Sequence, residues 1–222
     1  MFGTRTEFKN RTDAGERLAR ELEHFSDVNP VVLALPRGGV PVAFEVAKAL
    51  KAPLDVLMVR KLGAPNHPEY GIGAVVDGSD PQVVLNEEAM QIVRPPREYV
   101  EAEKERQLAE IERRRAEYLA GRRPIPLAGR TAIVVDDGIA TGGTIRVALN
   151  ALRRAKAASI ALAVPVAPRE VLDILHEDAD EVICLSAPVD FRAVGLHYED
   201  FGQTSDAEVV RLLGAASEWL QP

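Results

Sequence analysis

A buried strand, a pair of acids and a small-residue loop follow one another near the middle of the chain, and they constrain the fold more than any other segment. Residues 133–144 read Ile-Val-Val-Asp-Asp-Gly-Ile-Ala-Thr-Gly-Gly-Thr. The β-branched run 131–135 is typical of a strand buried on both faces, as in parallel sheets. Apolar residues at helical spacing over 145–155 predict a helix after the loop. The segment therefore predicts a strand, a tight turn of phosphate size and a helix.

The residue types in this turn suit an anion and a sugar. Residues 141–144 leave backbone N–H groups unobstructed, supply two hydroxyls and lie at the positive end of the following helix dipole. Asp136 and Asp137, at the carboxyl end of the strand, are suited to accept hydrogen bonds from sugar hydroxyls or to help hold a hydrated divalent cation. An ordinary strand-to-helix turn is the alternative, but it needs one glycine and has no use for paired acids with two threonines. Together these residues describe a sugar-phosphate site.

Composition limits the classes of protein that the chain can represent. With 222 residues and a formal charge of -7, it can bury a full core as one domain, and its acidic balance argues against a broad nucleic-acid surface. Cys184, the single cysteine, is predicted to be a packed thiol, and the four histidines lack metal-ligand spacing. No apolar run has the length of a membrane span, and residues 1–20 differ from a secretory signal. We therefore expect a cytoplasmic location without membrane association.

Elsewhere strands and helices alternate, which predicts an α/β fold with a mostly parallel open sheet flanked by helices. The predicted strands are 31–35, 54–59, 73–76, 82–85, 131–135, 159–164 and 181–185, with a turn around 77–80. The predicted helices are 13–22, 40–50, 97 to about 121, 145–155 and 169–177. The segment 97–123 is rich in Glu, Arg and Ala and predicts a long solvated helix, either a lid or dimer arm or, as we favour, a connecting helix. Arg113, Arg114 and Arg115 are interpreted as its solvent-exposed face.

The segment 133–144 resembles the signature of the type I phosphoribosyltransferases, which bind phosphoribosyl pyrophosphate (PRPP). Neither glycine fingerprint of other nucleotide-binding loops occurs here. The resemblance implies the type I phosphoribosyltransferase fold as a single domain over 1–222, with an inserted helical segment at 86–123 and a small C-terminal hood at 187–222. It implies that the 5-phosphate is held by Ala140, Thr141, Gly142, Gly143 and Thr144.

Two further segments strengthen the resemblance. Arg37-Gly38-Gly39 is similar to the Ser-Arg-Gly pyrophosphate loop of xanthine and adenine phosphoribosyltransferases, with Pro36 in place of the serine. In the family this loop can hold a non-proline cis peptide, which the resemblance implies between Arg37 and Gly38. Residues 59–65 are similar to an Arg-Lys-x-Gly-x-x-Pro run of adenine enzymes. The resemblance implies that pyrophosphate is held by Arg37, Gly38, Gly39, Arg60 and Lys61.

The proton acceptor and the base site are less specified. Glu69 matches the glutamate of a Glu-Tyr-Gly run close to the base in adenine enzymes, although the spacing from Lys61 is much shorter here. The resemblance therefore implies Glu69 as the proton acceptor, and the alternative is an ordinary carboxylate in a surface loop. His67 is a second candidate for the proton acceptor. Hypoxanthine and guanine enzymes carry an acid at the position of Ala140, which makes those purines less favoured. Base contacts are expected from the aromatic stretch 187–202, or else this stretch packs on the core. The candidate base-binding residues are Phe191, Val194 and Tyr198.

The resemblance implies magnesium-dependent transfer of the 5-phosphoribosyl group from PRPP to a nitrogenous base, with release of pyrophosphate. Asp136 and Asp137 would hold the ribose hydroxyls and, through water, Mg²⁺. The family also implies a homodimer. Two alternatives stay open: a PRPP-sensing regulator without catalysis, and a hydrolase or phosphorylase of a nucleotide or related sugar phosphate. The sequence leaves the acceptor base open.

Overall fold

The computed structural model describes residues 6–77 and 81–219 and consists of a parallel sheet between two helical layers, with a smaller antiparallel sheet beside it. In chain order the elements are α1 Arg11–Glu21, β1 Pro30–Ala34, α2 Gly39–Leu50, β2 Leu54–Val56, β3 Val59–Ala64, β4 His67–Val76, β5 Gln82–Leu85, α3 Glu87–Val93, α4 Arg97–Leu119, β6 Thr131–Val135, α5 Gly143–Arg154, β7 Ser159–Val166, α6 Arg169–Leu175, β8 Glu181–Ser186 and α7 Asp206–Glu218.

The five-stranded sheet has the order β2-β1-β6-β7-β8, and all its neighbouring strands are parallel. Every residue of β1 and β6 is buried, as their apolar runs predict. Side chains alternate between two cores: Val32 and Ala34 pack with α1, α2 and α7, whereas Val31 and Leu33 pack with α5 and α6. The predicted fold class, a mostly parallel sheet flanked by helices, is confirmed.

The strand order reverses between β1 and β6, and this reversal positions the site. The chain passes from β1 to its neighbour β2 on one side and from β6 to β7 and β8 on the other. The loops that follow β1 and β6 therefore leave in opposite directions, and a crevice opens between the carboxyl ends of the two strands. Ala34 and Val135 are register partners at these ends. Residues 36–39 and 136–137, directly after them, meet in the crevice.

The antiparallel sheet, of order β3-β4-β5, was only partly predicted. The predicted strand 54–59 is wrong as one unit, because β2 ends at Val56 and β3 begins at Val59 in the other sheet. The hydrogen bond from the Met58 N–H to Asp77 Oδ1, 3.0 Å, holds the chain where it changes sheets. The segment around Glu69, expected in a loop, belongs to the long strand β4. Of the predicted turn 77–80, residues 78–80 lie outside the described residues.

Glycines explain why the β3–β4 hairpin escaped prediction. A Cβ on Gly63 would lie 2.7 Å from the Pro68 carbonyl oxygen. The strands approach so closely that only glycine fits there, yet glycine in sequence argues against a strand.

Helix α1 begins before the predicted start at Asp13. Asn10 is the N-cap, and its side-chain oxygen accepts a hydrogen bond from the Asp13 N–H at 3.0 Å. An asparagine cap satisfies a backbone N–H of the first turn as well as the predicted capping box Asp13–Glu16 would. The helix therefore begins at Arg11, two residues before the predicted start.

The inserted segment 86–123 contains α3 and α4, and α4 is less solvated than predicted. It buries Val100, Ile111, Tyr118 and Leu119 and contacts α7 and β3. The interpretation of residues 113–115 as a solvated face is wrong for Arg115, whose side chain is 12% exposed and paired with Asp55 and Asp77. The C-terminal segment 187–222 contains a short 3-10 helix, Val194–His197, and α7; residues 220–222 lie outside the described residues. Within the described ranges, no helix combines the length and apolarity needed to cross a membrane.

Candidate functional site

The loop after β1 lies directly on the two acids after β6. A Cβ on Gly38 would lie 2.1 Å from Asp137 Oδ2, and one on Gly39 would lie 2.9 Å from the Cα of Asp136. Both glycines are needed for this approach, since any side chain would collide with the acids. The cis peptide that the resemblance implied lies one bond earlier, between Pro36 and Arg37. The structure thus brings Arg37, Gly38 and Gly39 together with both aspartates.

Replacing Gly38 with alanine is expected to lower the transfer activity that the resemblance implies by about a hundredfold, because the added Cβ must displace the Asp137 carboxylate by more than an ångström. Gly214, inside α7, is the matched control, since a Cβ there meets nothing within 4 Å and alanine favours a helix by up to about 1 kcal/mol. Steady-state turnover and thermal unfolding of G38A and G214A check this. Equal activity in the two folded variants would contradict it.

The two acids are held by hydrogen bonds from three directions. Arg11 Nε donates to Asp137 Oδ2 at 2.7 Å, and the Asp137 N–H donates to Asp136 Oδ1 at 2.9 Å. The Tyr198 hydroxyl donates to the Asp137 backbone oxygen at 2.6 Å. Burial, with the neighbouring Asp137 charge, raises the pKa of Asp136 well above its usual range. Burial also raises the pKa of Asp137, although the Arg11 guanidinium opposes this.

The loop after the acids has the geometry of an anion site. Gly142 has φ of +74°, a left-handed conformation that favours glycine, and it directly precedes α5. Thr141, Gly143 and Thr144 are exposed, and they line a cleft of about 710 Å³ with Lys61 of β3. We call this the Lys61 cleft. The open N-terminus of α5, with two threonine hydroxyls and a nearby ammonium group, is suited to bind a phosphate group.

A second cleft, of about 330 Å³, is lined by Asp136 and also by Thr144. We call it the Asp136 cleft; its polar lining includes Arg60, Arg114, Asp136 and Thr144. Val59 and Thr144 line both clefts, so the two adjoin. Successive residues of a strand point to opposite faces, and β3 therefore directs Arg60 and Lys61 to different clefts. Arg60 lines the Asp136 cleft and Lys61 the Lys61 cleft, and the predicted pyrophosphate role of both residues stays a prediction.

Arg37 has a partner that the sequence did not suggest. Its Nη1 lies 3.6 Å from Asp206 Oδ2, at the start of α7. The Tyr118 hydroxyl of α4 donates to the other oxygen of Asp206. Burial, with the Asp206 carboxylate, raises the pKa of Tyr118 to about 12. Arg37 is therefore tied to the C-terminal helix in this conformation, and an anion in the crevice would compete with Asp206 for it.

The candidate base-binding residues are packed rather than open. Tyr198 is 4% exposed, and its ring lies 5.2 Å from that of Phe8 and 4.9 Å from that of Phe201. Val194 packs on Gly138, where a Cβ would lie 2.6 Å from Val194 Cγ1. The stacking role expected of Tyr198 does not agree with this packing, because its ring is already covered, whereas Val194 is half-buried. The alternative, a C-terminal stretch packed on the core, describes them better.

The remaining predicted residues are placed less centrally. Phe191 stacks on His197 with a centroid distance of 5.6 Å. His67 lines a separate groove with Tyr70 and Ile92, away from both clefts. Glu69 lies in β4, and its side chain lies outside the described part of the structure. Ala140 is exposed at the start of the phosphate-sized loop.

Two site residues were missed by the sequence reasoning. Arg11 has no motif of its own, and only the fold carries the start of α1 to Asp137. Arg114 was assigned to a solvated face, although it falls at helical spacing from Gln107, Ile111 and Tyr118, all of which are buried. That spacing was the available signal.

The site offers oxygen ligands for a magnesium ion. The half-buried Asp136 and the Thr144 hydroxyl both open on the Asp136 cleft. Carboxylate and hydroxyl oxygens suit Mg²⁺, which is commonly held by one or two carboxylates and substrate phosphates. Among the described residues no three His, Cys, Asp or Glu side chains converge on a metal position. The residues fit an ion that shares its ligands with a phosphorylated substrate.

Comparisons with known proteins agree on one family. Residues 6–200 match the model of the phosphoribosyl transferase domain. Two curated proteins of Mycobacterium tuberculosis, strains CDC 1551 / Oshkosh and ATCC 25618 / H37Rv, are 48% identical over 209 residues and are provisionally named phosphoribosyl transferases. The alignment covers 94% of this chain and 47% of theirs, so the chain spans about half the length of these relatives. The crystal structure of TT1426 from Thermus thermophilus is 41% identical, with a TM-score of 0.80, over 93% of this chain and 97% of that one.

Proposed function

This chain belongs to the phosphoribosyltransferase family, and we propose that it transfers the 5-phosphoribosyl group of PRPP to a ring nitrogen of a base, releasing pyrophosphate. One observation carries the proposal. At the strand-order reversal, Asp136 and Asp137 lie between a glycine loop that touches them and a helix N-terminus suited to bind an anion. A sugar that bears a phosphate on one side and a diphosphate on the other matches this order of groups.

The 5-phosphate is assigned to the Lys61 cleft. The amides of residues 142–144 and the hydroxyls of Thr141 and Thr144 would donate to its oxygens, and Lys61 would balance its charge. Ala140 would contribute only its backbone to the binding of the 5-phosphate. The helix dipole of α5 adds to the same attraction.

The ribose and pyrophosphate are assigned to the crevice and the Asp136 cleft. Asp136 and Asp137 would accept hydrogen bonds from the ribose hydroxyls, while Arg60 and the amides of Gly38 and Gly39 would bind pyrophosphate. Arg37 would join them on exchanging Asp206 for the anion. A bound Mg²⁺, held by Asp136 and Asp137 through water, would neutralise charge on the leaving group.

In the reaction the bond from the anomeric carbon to the pyrophosphate oxygen breaks, and its electron pair leaves with pyrophosphate. A lone pair of the base nitrogen forms the new bond from the opposite face, with inversion. Positive charge grows on the sugar ring meanwhile, and the two carboxylates are placed to stabilise it. The family resemblance implies Glu69 as the acceptor of the proton that the base releases, with His67 as the second candidate. The proposal includes a homodimer in the cytoplasm, as the family resemblance implies.

Pyrophosphate release from magnesium-PRPP, measured across a panel of nucleobases with a no-base control, tests the proposal. Release that depends on one base, with the matching nucleotide as product, would support transfer and name the acceptor. Pyrophosphate release without a base, with ribose 5-phosphate as the other product, would show that the protein hydrolyses PRPP and does not transfer the phosphoribosyl group. PRPP binding without turnover on any base would contradict the proposed catalysis and support the alternative of a PRPP-sensing regulator.

Replacing Arg11 with methionine is expected to move the acid limb of the activity profile to higher pH. The guanidinium opposes the burial that raises the pKa of Asp137, so its loss raises that pKa further. Asp137 then stays protonated to a higher pH, and activity near pH 6 falls several-fold relative to activity near pH 8. Arg17, which lies over the Phe8 ring in the same helix, is the control. Superimposable pH profiles of R11M and R17M would refute the assignment.

A further inference from the structure

Helix α4 supplies a cation to the Asp136 cleft. Arg114 lines this cleft with Arg60, Asp136 and Thr144. Its side chain is 38% exposed, whereas that of its neighbour Arg113 is 61% exposed. Arg113 points away from the cleft lining, so the two adjacent arginines have different surroundings on one helix.

Arg114 and Arg60 are held in the same way. Arg114 Nε donates to Glu110 Oε1 at 2.8 Å, and Arg60 Nε donates to Gln107 Oε1 at 3.0 Å. Both acceptors belong to α4, one turn apart. Within the described ranges these are the hydrogen bonds that the two guanidinium groups make, which leaves their terminal nitrogens available. A guanidinium fixed through Nε still presents the two-pronged Nη edge that matches phosphate oxygens.

The charges of the cleft favour a multiply charged anion. Glu110 is shared with Arg113, which donates to both of its oxygens at 2.9 and 3.0 Å. These contacts lower the pKa of Glu110 to about 2, so its single negative charge faces two guanidinium groups. Arg114 therefore keeps positive charge to offer to the cleft, beside that of Arg60.

We infer that Arg114 and Arg60 form a two-guanidinium site for the diphosphate group of the donor substrate and its pyrophosphate product. The inference rests on the proposed function and extends it, because it gives the inserted helix α4 a direct part in binding the leaving group. Arg60 comes from β3 and Arg114 from α4, so the diphosphate would lie between two elements that pack on each other.

Isothermal titration with inorganic pyrophosphate in the presence of Mg²⁺ tests the inference, on the whole chain and on R114Q and R113Q. R114Q is expected to weaken pyrophosphate binding about tenfold, or about 1.4 kcal/mol. R113Q should stay within about twofold of the unmodified chain, since Arg113 shares Glu110 but not the cleft. The pyrophosphate affinity of R114K should lie between those of R114Q and the unmodified chain, because lysine keeps the positive charge but lacks the two-pronged guanidinium edge.

Ribose 5-phosphate is the second probe, because its phosphate is assigned to the Lys61 cleft. Its affinity should be equal in R114Q and the unmodified chain, which would separate a local diphosphate contact from a general loss of charge. Equal pyrophosphate affinities in R114Q and R113Q would overturn the inference while the unmodified chain still bound pyrophosphate. An unmodified chain that bound neither pyrophosphate nor PRPP would overturn the proposed function itself.

Discussion

Replacing Asp136 and Asp137 together with asparagine is expected to abolish phosphoribosyl transfer, lowering turnover by at least about a thousandfold. The substitution removes both carboxyl groups next to the position assigned to the ribose, while it keeps the size of each side chain. An asparagine oxygen at 136 still accepts the hydrogen bond of the residue 137 N–H, and one at 137 still accepts from Arg11. The fold should therefore survive, and the loss should lie in the chemistry.

Pyrophosphate release and circular dichroism on the same preparations measure this effect. D173N is the matched control, since Asp173 is exposed on α6 and lines neither of the two clefts. Full activity in a folded D136N/D137N variant would disprove the assignment of both acids. The single variants separate their parts: D136N changes the acid that lines the cleft, and D137N leaves the Arg11 charge without its carboxylate.

The central sheet was predictable because its strands rest on local patterns, whereas the contact between the two loops depends on the strand order, which those patterns do not give. Apolar runs such as 131–135 predict buried parallel strands, and the acids follow the strand end directly. In a parallel α/β sheet, such ends meet at the strand-order reversal. The contact of Gly38 with Asp137 follows from this topology, although its closeness does not follow from the sequence.

The first half of strand β4 and the inward-facing arginines were not predictable from local patterns. Strand β4 contains a proline and two glycines, which argue for a loop, and only its partner strands override that preference. Three successive arginines, 113–115, differ in environment because each points in a different direction around the α4 axis. One faces solvent, one a cleft and one a buried pair of acids. Charge patterning identifies the helix but not the destination of each guanidinium.

Arg115 fixes the segment that connects the two sheets. Its Nη2 donates to both oxygens of Asp55 at 3.0 and 3.2 Å, and its Nη1 donates to Asp77 Oδ2 at 2.6 Å. Nη1 also donates to the Val56 carbonyl at 3.2 Å. The following residues, 57–60, line the Asp136 cleft. The ion pairs of Arg115 therefore fix the position of the segment 57–60, which forms one wall of the Asp136 cleft.

Replacing Arg115 with methionine is expected to cost about 3–5 kcal/mol of unfolding free energy, because it leaves two buried carboxylates without their cation. Asp55 and Asp77 are 4% and 6% exposed, so water cannot replace the guanidinium without opening the core. Urea unfolding of R115M and of the exposed control R113M measures the difference. R115K keeps the positive charge and should lose less unfolding free energy than R115M. It therefore provides a measurable variant if R115M is too unstable to study. A loss in R115M no larger than that in R113M would show that the buried pairs contribute nothing.

The pH dependence of the same variant distinguishes lost charge compensation from lost packing. Burial raises the pKa of Asp77, and Arg115 is the main group that opposes this. Without Arg115 that pKa rises further, so the folded state holds more protons than the unfolded state between the two pKa values. Stability then falls as pH rises through that interval, and the deficit of R115M relative to the unmodified chain should be larger at pH 8 than at pH 5. Adding D55N and D77N to R115M removes the buried charges and should flatten this pH dependence, whereas a packing defect would give the same deficit at both pH values in either background.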